Sequence, residues 1–418
     1  MKIWLLQIGE PLPIGETVRK MRTALLADTL STRGHEVVWW ASSFDHVSKK
    51  MLFVGDEEII VNPNYRIRTF KGIAYNKNIS IRRYLDHVIV ARKFKRAMQG
   101  ERKPDIIVAS MPDYFTAYEG VVYARKNSVP VLVDVRDEWP DLFLEVLPHH
   151  LRIAARFLLW KDFAKVRNLL QNADGLISMM DQLLVWGLKK AGREAAWTDR
   201  VFYLGAPRVS KDSGKEVSDK FAGLSRRAKG KFVITYIGTF GKYYNPVVII
   251  RAAEILGSTK ATEDLLFVIA GDGKYFNEVK KAAQNRGNII IPGWINQEEI
   301  NYLLSISSVG IIPCSEDISA FPNKAFTYLS AGLPVLSSVN GELKDLIQKH
   351  RFGLHFKPND YHALAQLIAE LYLKKETHSA MARKSNEMFS LLFDAEKVYE
   401  KFANHIEEVA RGKGKRET

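Results

Sequence analysis

The sequence predicts an α/β protein built as two doubly wound domains facing across a cleft. Three observations carry that expectation. Short, apolar, partly β-branched runs alternate with helical patterns along nearly the whole chain, as strands and helices of a parallel sheet do. The alternation breaks once, from Ala206 to Lys231, where the composition turns to Lys, Ser, Asp, Gly and Arg without a period. A chain of 418 residues also exceeds a single core, since domains usually run to ~100–200 residues.

The elements follow in order. Residues 2–8 read as a first strand, Gly9 to Gly15 as a loop, and residues 16–33 as a helix stopped by Gly34. Strands at 37–40, 106–109, 131–135, 175–178 and 201–204 continue the first domain, with a helix at 114–126. The first domain is expected to span 1–205, with a linker at 206–230. A second series opens at 232–238 and continues with strands at 266–271, 289–291 and 309–312, which places the second domain at 231–394. Residues 395–410 have a helical pattern and lead into a frayed basic end, so 395–418 read as a tail.

Composition excludes several classes. Apolar residues make up 46% and charged residues 26%, as in ordinary globular proteins. The N-terminus has no small-residue cleavage site and no window approaches the ~20 apolar residues of a spanning helix. Cys314 is the only cysteine, which excludes an intrachain disulfide and a cysteine metal cluster and fits a reducing compartment. Neither Gly-x-Gly-x-x-Gly after the first strand nor a P-loop occurs, no Asp-x-Asp pair is present, and the histidines are scattered. No metal and no cofactor are expected. The net charge of +14 is concentrated at the front, where residues 1–210 carry 32 Lys and Arg against 23 Asp and Glu.

One stretch, 309–336, reads as strand, loop, helix, glycine stop and strand. Pro322 stands at the first helical position, the helix ends at Gly332, and its free N–H groups and dipole suit an anion such as a diphosphate. Lys324 adds charge in the first turn, although a solvated lysine in one more βαβ unit is the plain alternative. Gly238-Thr239-Phe240-Gly241-Lys242 follows the first strand of the second domain, where glycines allow backbone amides to approach a phosphate.

These residues, with Ala270-Gly271-Asp272-Gly273, Pro292-Gly293-Trp294-Ile295 and Phe321-Pro322-Asn323-Lys324…Tyr328-Leu329-Ser330-Ala331-Gly332, resemble the retaining nucleotide-sugar glycosyltransferases of family four, which have the GT-B fold of two Rossmann-like domains. Arg33-Gly34-His35-Glu36-Val37 and Arg136-Asp137-Glu138-Trp139-Pro140 extend the resemblance into the first half. It implies a nucleotide-sugar co-substrate held by Gly238–Lys242, Gly271, Gly293, Trp294, Ile295 and the helix at Phe321, Pro322, Asn323 and Lys324. It also implies an acceptor near Glu10, Arg19 and Arg22, for which an ordinary surface ion pair is the alternative. The family carries two glutamates where this sequence has Ser319 and Thr327, and a hydroxyl accepts from ribose less well than a carboxylate. Glu316, Asp317 and Glu342 are close enough in sequence to substitute, with solvated loop charges as the plain alternative for each.

Asp137 and Glu138 lie just past a strand's carboxyl end, where a carboxylate could take the acceptor's proton; the alternative for Asp137 is a helix cap or a partner for Arg136. Residues 77–103 and 151–170 read as basic amphipathic helices. They suit an anionic membrane surface or, equally, domain packing with a solvated face. The resulting expectation is a sugar transferase acting on a glycan or lipid-linked acceptor, cytoplasmic or peripheral on the inner membrane face. Its rivals are a non-catalytic GT-B protein binding nucleotide or glycan, and a nucleotide-sugar epimerase. Nucleic acid is not an expected partner, because charge alone supports it.

Overall fold

The computed structural model describes residues 1–15, 18, 20–145, 147–209, 219–257 and 260–412. Two compact units emerge, one of residues 1–203 with 399–418 and one of residues 204–398.

The first unit runs β1 (Lys2–Leu6), α1 (Arg22–Thr32), β2 (Glu36–Ser42), β3 (Phe44–Asp45), β4 (Lys50–Met51), β5 (Glu57–Asn62), β6 (Tyr65–Phe70), α2 (Ile81–Ala97), β7 (Ile106–Ser110), α3 (Tyr114–Lys126), β8 (Val131–Val135), α4 (Asp141–Glu145), α5 (His149–Leu158), α6 (Trp160–Gln171), β9 (Gly175–Ser178), α7 (Asp181–Ala191) and β10 (Arg200–Val201). Eight strands form one sheet in the order β10-β9-β8-β7-β1-β2-β6-β5, parallel except for the edge strand β5. β1, β7, β8 and β9 are buried throughout, which explains their unbroken apolar runs. The core is aromatic: Trp4 and Trp40 meet edge to face at 5.1 Å, and Trp40 meets Phe94 at the same distance.

The second unit runs α8 (Asp219–Ala228), β11 (Phe232–Ile237), α9 (Val247–Gly257), β12 (Leu265–Ala270), α10 (Phe276–Ala282), β13 (Ile289–Gly293), α11 (Gln297–Ile306), β14 (Val309–Ile312), α12 (Asn323–Ser330), β15 (Val335–Ser337), α13 (Glu342–His350), β16 (Gly353–His355), α14 (Tyr361–Leu373), α15 (Lys375–Met388) and α16 (Ala395–Ala410), the last crossing into the first unit at Tyr399. Its sheet is wholly parallel, in the order β13-β12-β11-β14-β15-β16.

Four expectations change. The first helix begins at Arg22, and of the expected extension, Glu16, Thr17 and Arg19 lie outside the described residues. The expected strand at 201–204 shrinks to Arg200–Val201. The expected linker contains α8, whose Phe221, Leu224 and Ala228 are buried against Val233, Leu266 and Leu303, so this helix belongs to the second unit's core. The expected tail is no appendage. In α16, Phe402 stacks on Phe202 at 4.6 Å, His405 bonds the Thr198 carbonyl, and Glu407 pairs with both Arg33 and His35. The basic end from residue 413 lies outside the described residues.

Each sheet reverses its order once, at β1–β7 in the first unit and at β11–β14 in the second. Ligands of open α/β sheets bind outside the strands' carboxyl ends at such points.

Candidate functional site

In the second unit the reversal is flanked by the two segments singled out from the sequence, the loop Gly238–Lys242 after β11 and the stretch from β14 into α12. Backbone bonds join the first of these to its neighbour: the Gly238 N–H donates to Ala270, the Phe240 N–H to Asp272 and the Gly271 N–H to Gly293. The approach is so close that a Cβ on Gly271, whose φ is +144°, would lie 1.8 Å from the Gly238 carbonyl oxygen. Only glycine fits there. The Thr239 and Gly241 N–H groups have no partner among the described residues.

The helix contributes a second set of donors. Pro322 is the N-cap, extended at φ −71° and ψ 143°, rather than the first helical residue, which is Asn323. Proline offers no side-chain acceptor, so the N–H groups of Asn323 and Lys324 are left without a capping partner. Phe321 stacks on Phe326 at 4.7 Å, a residue before the cap against one in the second turn, which fixes how the chain enters the helix. Gly332, at φ +71°, ends it.

Lys324 joins the two sets. Its Nζ stands 3.3 Å from the centroid of the Tyr244 ring and 5.5 Å from that of Tyr236, and a Cβ on Gly238 would lie 2.8 Å from it. It forms no ion pair among the described residues. Burial pulls its ammonium down from 10.5 to about 8, only partly offset by the nearby Cys314 thiol, which burial itself pushes up to about 11. A desolvated cation without an anion, set among unclaimed N–H donors, is an arrangement chemically suited to an anion.

The other expected donor residues divide. Gly293 turns at φ +79° and presents Trp294, 68% exposed, beside the site loops. Lys242 extends into solvent toward Glu316, 3.9 Å away. Phe240 and Ile295, expected to touch the donor, are core instead: Phe240 is fully buried against Tyr236 and Phe276, and Ile295 packs with Val268 and Tyr302. Ser319 is exposed and bridges to Asn340. The Thr327 hydroxyl donates back to the Asn323 carbonyl at 3.2 Å. Of the three neighbouring acids, Asp317 accepts from Asn340 and Glu342 is buried at the start of α13.

In the first unit the structure corrects two assignments. Glu10 and Arg22 are not available to an acceptor. Glu10 accepts from the Thr23 and Ala24 N–H groups and from Arg136, so it caps α1 from a distance. Arg22, 3% exposed, forks onto both oxygens of Asp134 and donates to the Phe202 carbonyl. Asp134 sits inside a buried strand. Burial alone would raise its carboxyl, but Arg22 and Arg136 outweigh burial and hold it below the usual range. Burial likewise opposes the Arg136 charge, and Asp134 with Glu10 hold it above its usual value. These are structural ion pairs, and Arg19 lies outside the described residues.

Asp137 is neither a helix cap nor the partner of Arg136. Its Oδ1 accepts the Glu138 N–H at 3.0 Å, and burial raises its carboxyl against the pull of Arg83. Glu138 is raised by burial and by Glu145, Asp141 and Asp137. Beside Asp137 lies a set of residues that sequence reasoning missed: His46, Lys49, Tyr75, Arg83, His87 and Trp139. They come from the turn between β3 and β4, from the loops after β6 and β8 and from α2, all around the carboxyl ends of the sheet.

The two basic amphipathic segments also separate. α2 buries Val90, Ala91 and Phe94, and the second segment breaks into α6, packed through Val166, Leu169 and Leu170, and α5, which has no buried residue. On α5, Ile153, Phe157 and Leu158 are 81, 80 and 80% exposed. Among the described residues, no helix is long and apolar enough to cross a membrane.

Residues 219–388 match the family described as glycosyl transferases group 1. The chain is 25% identical to the Escherichia coli O-antigen chain mannosyltransferase C over 182 residues, 43% of this chain and 47% of that protein. It is 31% identical over 161 residues to the E. coli UDP-Gal:alpha-D-GlcNAc-diphosphoundecaprenol alpha-1,3-galactosyltransferase, 37% of this chain and 38% of that one. It thus spans less than half the length of both. A longer match, 361 residues at 23% identity covering 83 and 73%, is to the alpha-monoglucosyldiacylglycerol synthase of Streptococcus pneumoniae. Among solved structures, sucrose-phosphate synthase from Thermosynechococcus elongatus superimposes with a TM-score of 0.70 at 16% identity, over 98% of this chain and 99% of that one. Anabaena HepE in complex with UDP gives 0.65 at 14%, over 97 and 99%. The chain has the GT-B fold, and residues 219–388 of its second unit are similar to the glycosyl transferases of group 1.

Proposed function

We propose that this protein transfers a sugar from a nucleoside-diphosphate sugar to a hydroxyl of a lipid-linked or glycolipid acceptor, with retention of configuration and without a metal ion. Lys324 carries the reading. As the bond between sugar and diphosphate breaks, negative charge grows on the leaving oxygens. A cation already stripped of water, with the free N–H groups of Thr239, Gly241, Asn323 and Lys324 around it, stabilises that charge without reorganising. The leaving phosphate can take the acceptor's proton, so a side-chain base is not obligatory. Where one acts, Asp137 and Glu138 have carboxyls raised above their ordinary values, which makes them better bases.

The relatives support the acceptor class, since one is named for a diphosphoundecaprenol-linked substrate and another for a glucosyldiacylglycerol. Support for attachment to the inner face of a membrane comes from α5. Its apolar residues stand in solvent beside Arg152, Arg156 and Lys161, a pairing that fits an anionic bilayer surface.

The test is a thermal-shift screen against UDP, GDP, CDP, ADP, dTDP and CMP, followed by product formation with the sugar of the nucleotide that binds. A ligand at ~100 times its dissociation constant stabilises by ~2.7 kcal/mol, enough to move a melting temperature by several degrees. One nucleotide should bind, and Lys324→Ala should lose both its binding and turnover. Silence from all six would count against a donor site and favour a protein that no longer turns over.

A further inference from the structure

The cations at the carboxyl edge of the first sheet are unspent. Lys49 and Arg83 both lie against Tyr75, with Nζ of Lys49 5.3 Å and the guanidinium of Arg83 5.8 Å from its ring centroid. Arg83 also lies 4.4 Å over the Trp139 ring. Neither cation forms an ion pair among the described residues. Lys49 donates to Asn78 Oδ1 and Arg83 to the Asn78 carbonyl, both neutral acceptors. The carboxylates nearby have other work. Asp45 holds the turn through the Val47 N–H and the Ser48 hydroxyl, Asp86 accepts from the Ile73 N–H, Asp113 caps α3 and faces His87, and Asp137 accepts from the Glu138 N–H. Lys49 adopts φ +58°, disfavoured for a residue with a Cβ, and this conformation brings its amine to the cluster.

Resting on the transferase reading above, we propose that Lys49, Arg83, His46 and Tyr75 form a subsite for the phosphate group of the acceptor. The imidazole of His46 supplies a neutral donor. Its Nδ1 receives Lys49 at 3.3 Å and meets the Tyr75 hydroxyl at 2.8 Å, which leaves its proton on Nε2. Burial first, then Arg83, Lys49 and His87, hold it down at about 4 against the opposing pull of Asp45, and a bound phosphate relieves the crowding of positive charge. The phosphate could belong to a lipid or to a soluble sugar phosphate. The surroundings favour the lipid, since Ile79, Ile81 and Leu85, at the start of α2 beside Arg83, are 55, 80 and 46% exposed and give an apolar chain a track away from the site.

The test is calorimetric titration of the full chain with geranyl phosphate and with a hexose 6-phosphate, each against its unphosphorylated counterpart. At least one phosphate should bind while geraniol and free hexose do not, and which phosphate binds identifies the source. Lys49→Gln with Arg83→Gln should weaken that binding by about tenfold or more, as loss of charge-assisted bonds to phosphate does, and leave the nucleotide thermal shift unchanged. Arg83→Lys should retain most of the affinity, which a purely structural guanidinium fork would not allow. Lys93→Gln, which removes a charge elsewhere on α2, should change nothing. If the double variant does not fold, Lys49→Gln alone carries the comparison. Equal affinity of the variants and the wild type, binding of the alcohol as tightly as the phosphate, or no phosphate binding would each overturn the proposal. A nucleotide screen without a hit would remove the transferase reading and leave phosphate binding to stand on its own result.

Discussion

Lys324→Met should make the protein more stable and less able to bind nucleotide. The wild-type lysine titrates near 8 in the folded chain against 10.5 in the unfolded one, so at neutral pH its charged form is penalised by ~3 kcal/mol. The contact with Tyr244, 3.3 Å from the ring centroid, returns ~1–2 kcal/mol. Methionine has similar length, fills the same space and carries no charge. The expected gain at pH 7 is therefore ~1–2 kcal/mol. The pH dependence gives the stricter check. Below pH 8 both states hold the proton and the penalty is complete; between 8 and 10.5 the unfolded chain binds more protons than the folded one, so wild-type stability rises with pH. The advantage of the variant should shrink across that window and vanish above it. Urea denaturation followed by circular dichroism at a series of pH values measures the gap, and the thermal shift with nucleotide measures binding. A variant no more stable than the wild type at pH 7, with nucleotide affinity intact, would refute the view that Lys324 is a desolvated cation held for a diphosphate.

Gly271→Ala should cost more than 2 kcal/mol and abolish nucleotide binding, because its Cβ must push the Gly238 carbonyl from 1.8 Å to a normal contact, and differential scanning calorimetry with and without nucleotide reads both effects. Arg22→Met should lower stability by ~3–5 kcal/mol by leaving Asp134 buried without one of its two cations, with the loss seen in the denaturation midpoint. Phe402→Ala should cost ~3–5 kcal/mol, because the ring is fully buried on Phe202, and hydrogen exchange should show loosening in β9 and β10 rather than in the second sheet. Ile153→Asp with Phe157→Asp should leave the melting temperature unchanged and cut cosedimentation with anionic vesicles severalfold, since both side chains are exposed.

The strands buried on both faces were legible because their apolar runs have no other use: 106–110, 131–135, 175–178, 232–237 and 309–312 all form where the sequence put them. The edge of the first sheet was not. β5 is mostly exposed and β6 alternates Arg66 and Arg68 with Tyr65 and Ile67, so neither carries a continuous apolar run. Those arginines are accommodated in a strand because Glu58 on the neighbouring strand and Glu101, more distant in sequence, pair with them, and the second partnership is invisible in the local pattern. The short helix α8 hid in a polar stretch because only one narrow stripe, Phe221, Leu224 and Ala228, is apolar.

Charge was the harder signal to read. Lys324 was identified because a proline, a helix start and a strand end coincide there. Glu10 and Arg22 stood beside a loop of the same kind, yet their charges are consumed internally. The clue was Asp134, a carboxylate inside the run Val131-Leu132-Val133-Asp134-Val135, which burial on both faces obliges to find a cation. Arg136 and Arg22 meet that need, and Glu10 completes the set. Lys49 and Arg83 follow the opposite rule. Lys49 comes from the turn between β3 and β4 and Arg83 from α2, and neither forms an ion pair among the described residues. A charge matched inside the fold stabilises the fold, whereas one brought out of water and left unmatched costs stability unless a ligand answers it. By that criterion Lys324 is, among the described residues of the second unit, the desolvated cation whose cost an anion would offset, and the half-buried Arg83 with Lys49 is the weaker counterpart in the first.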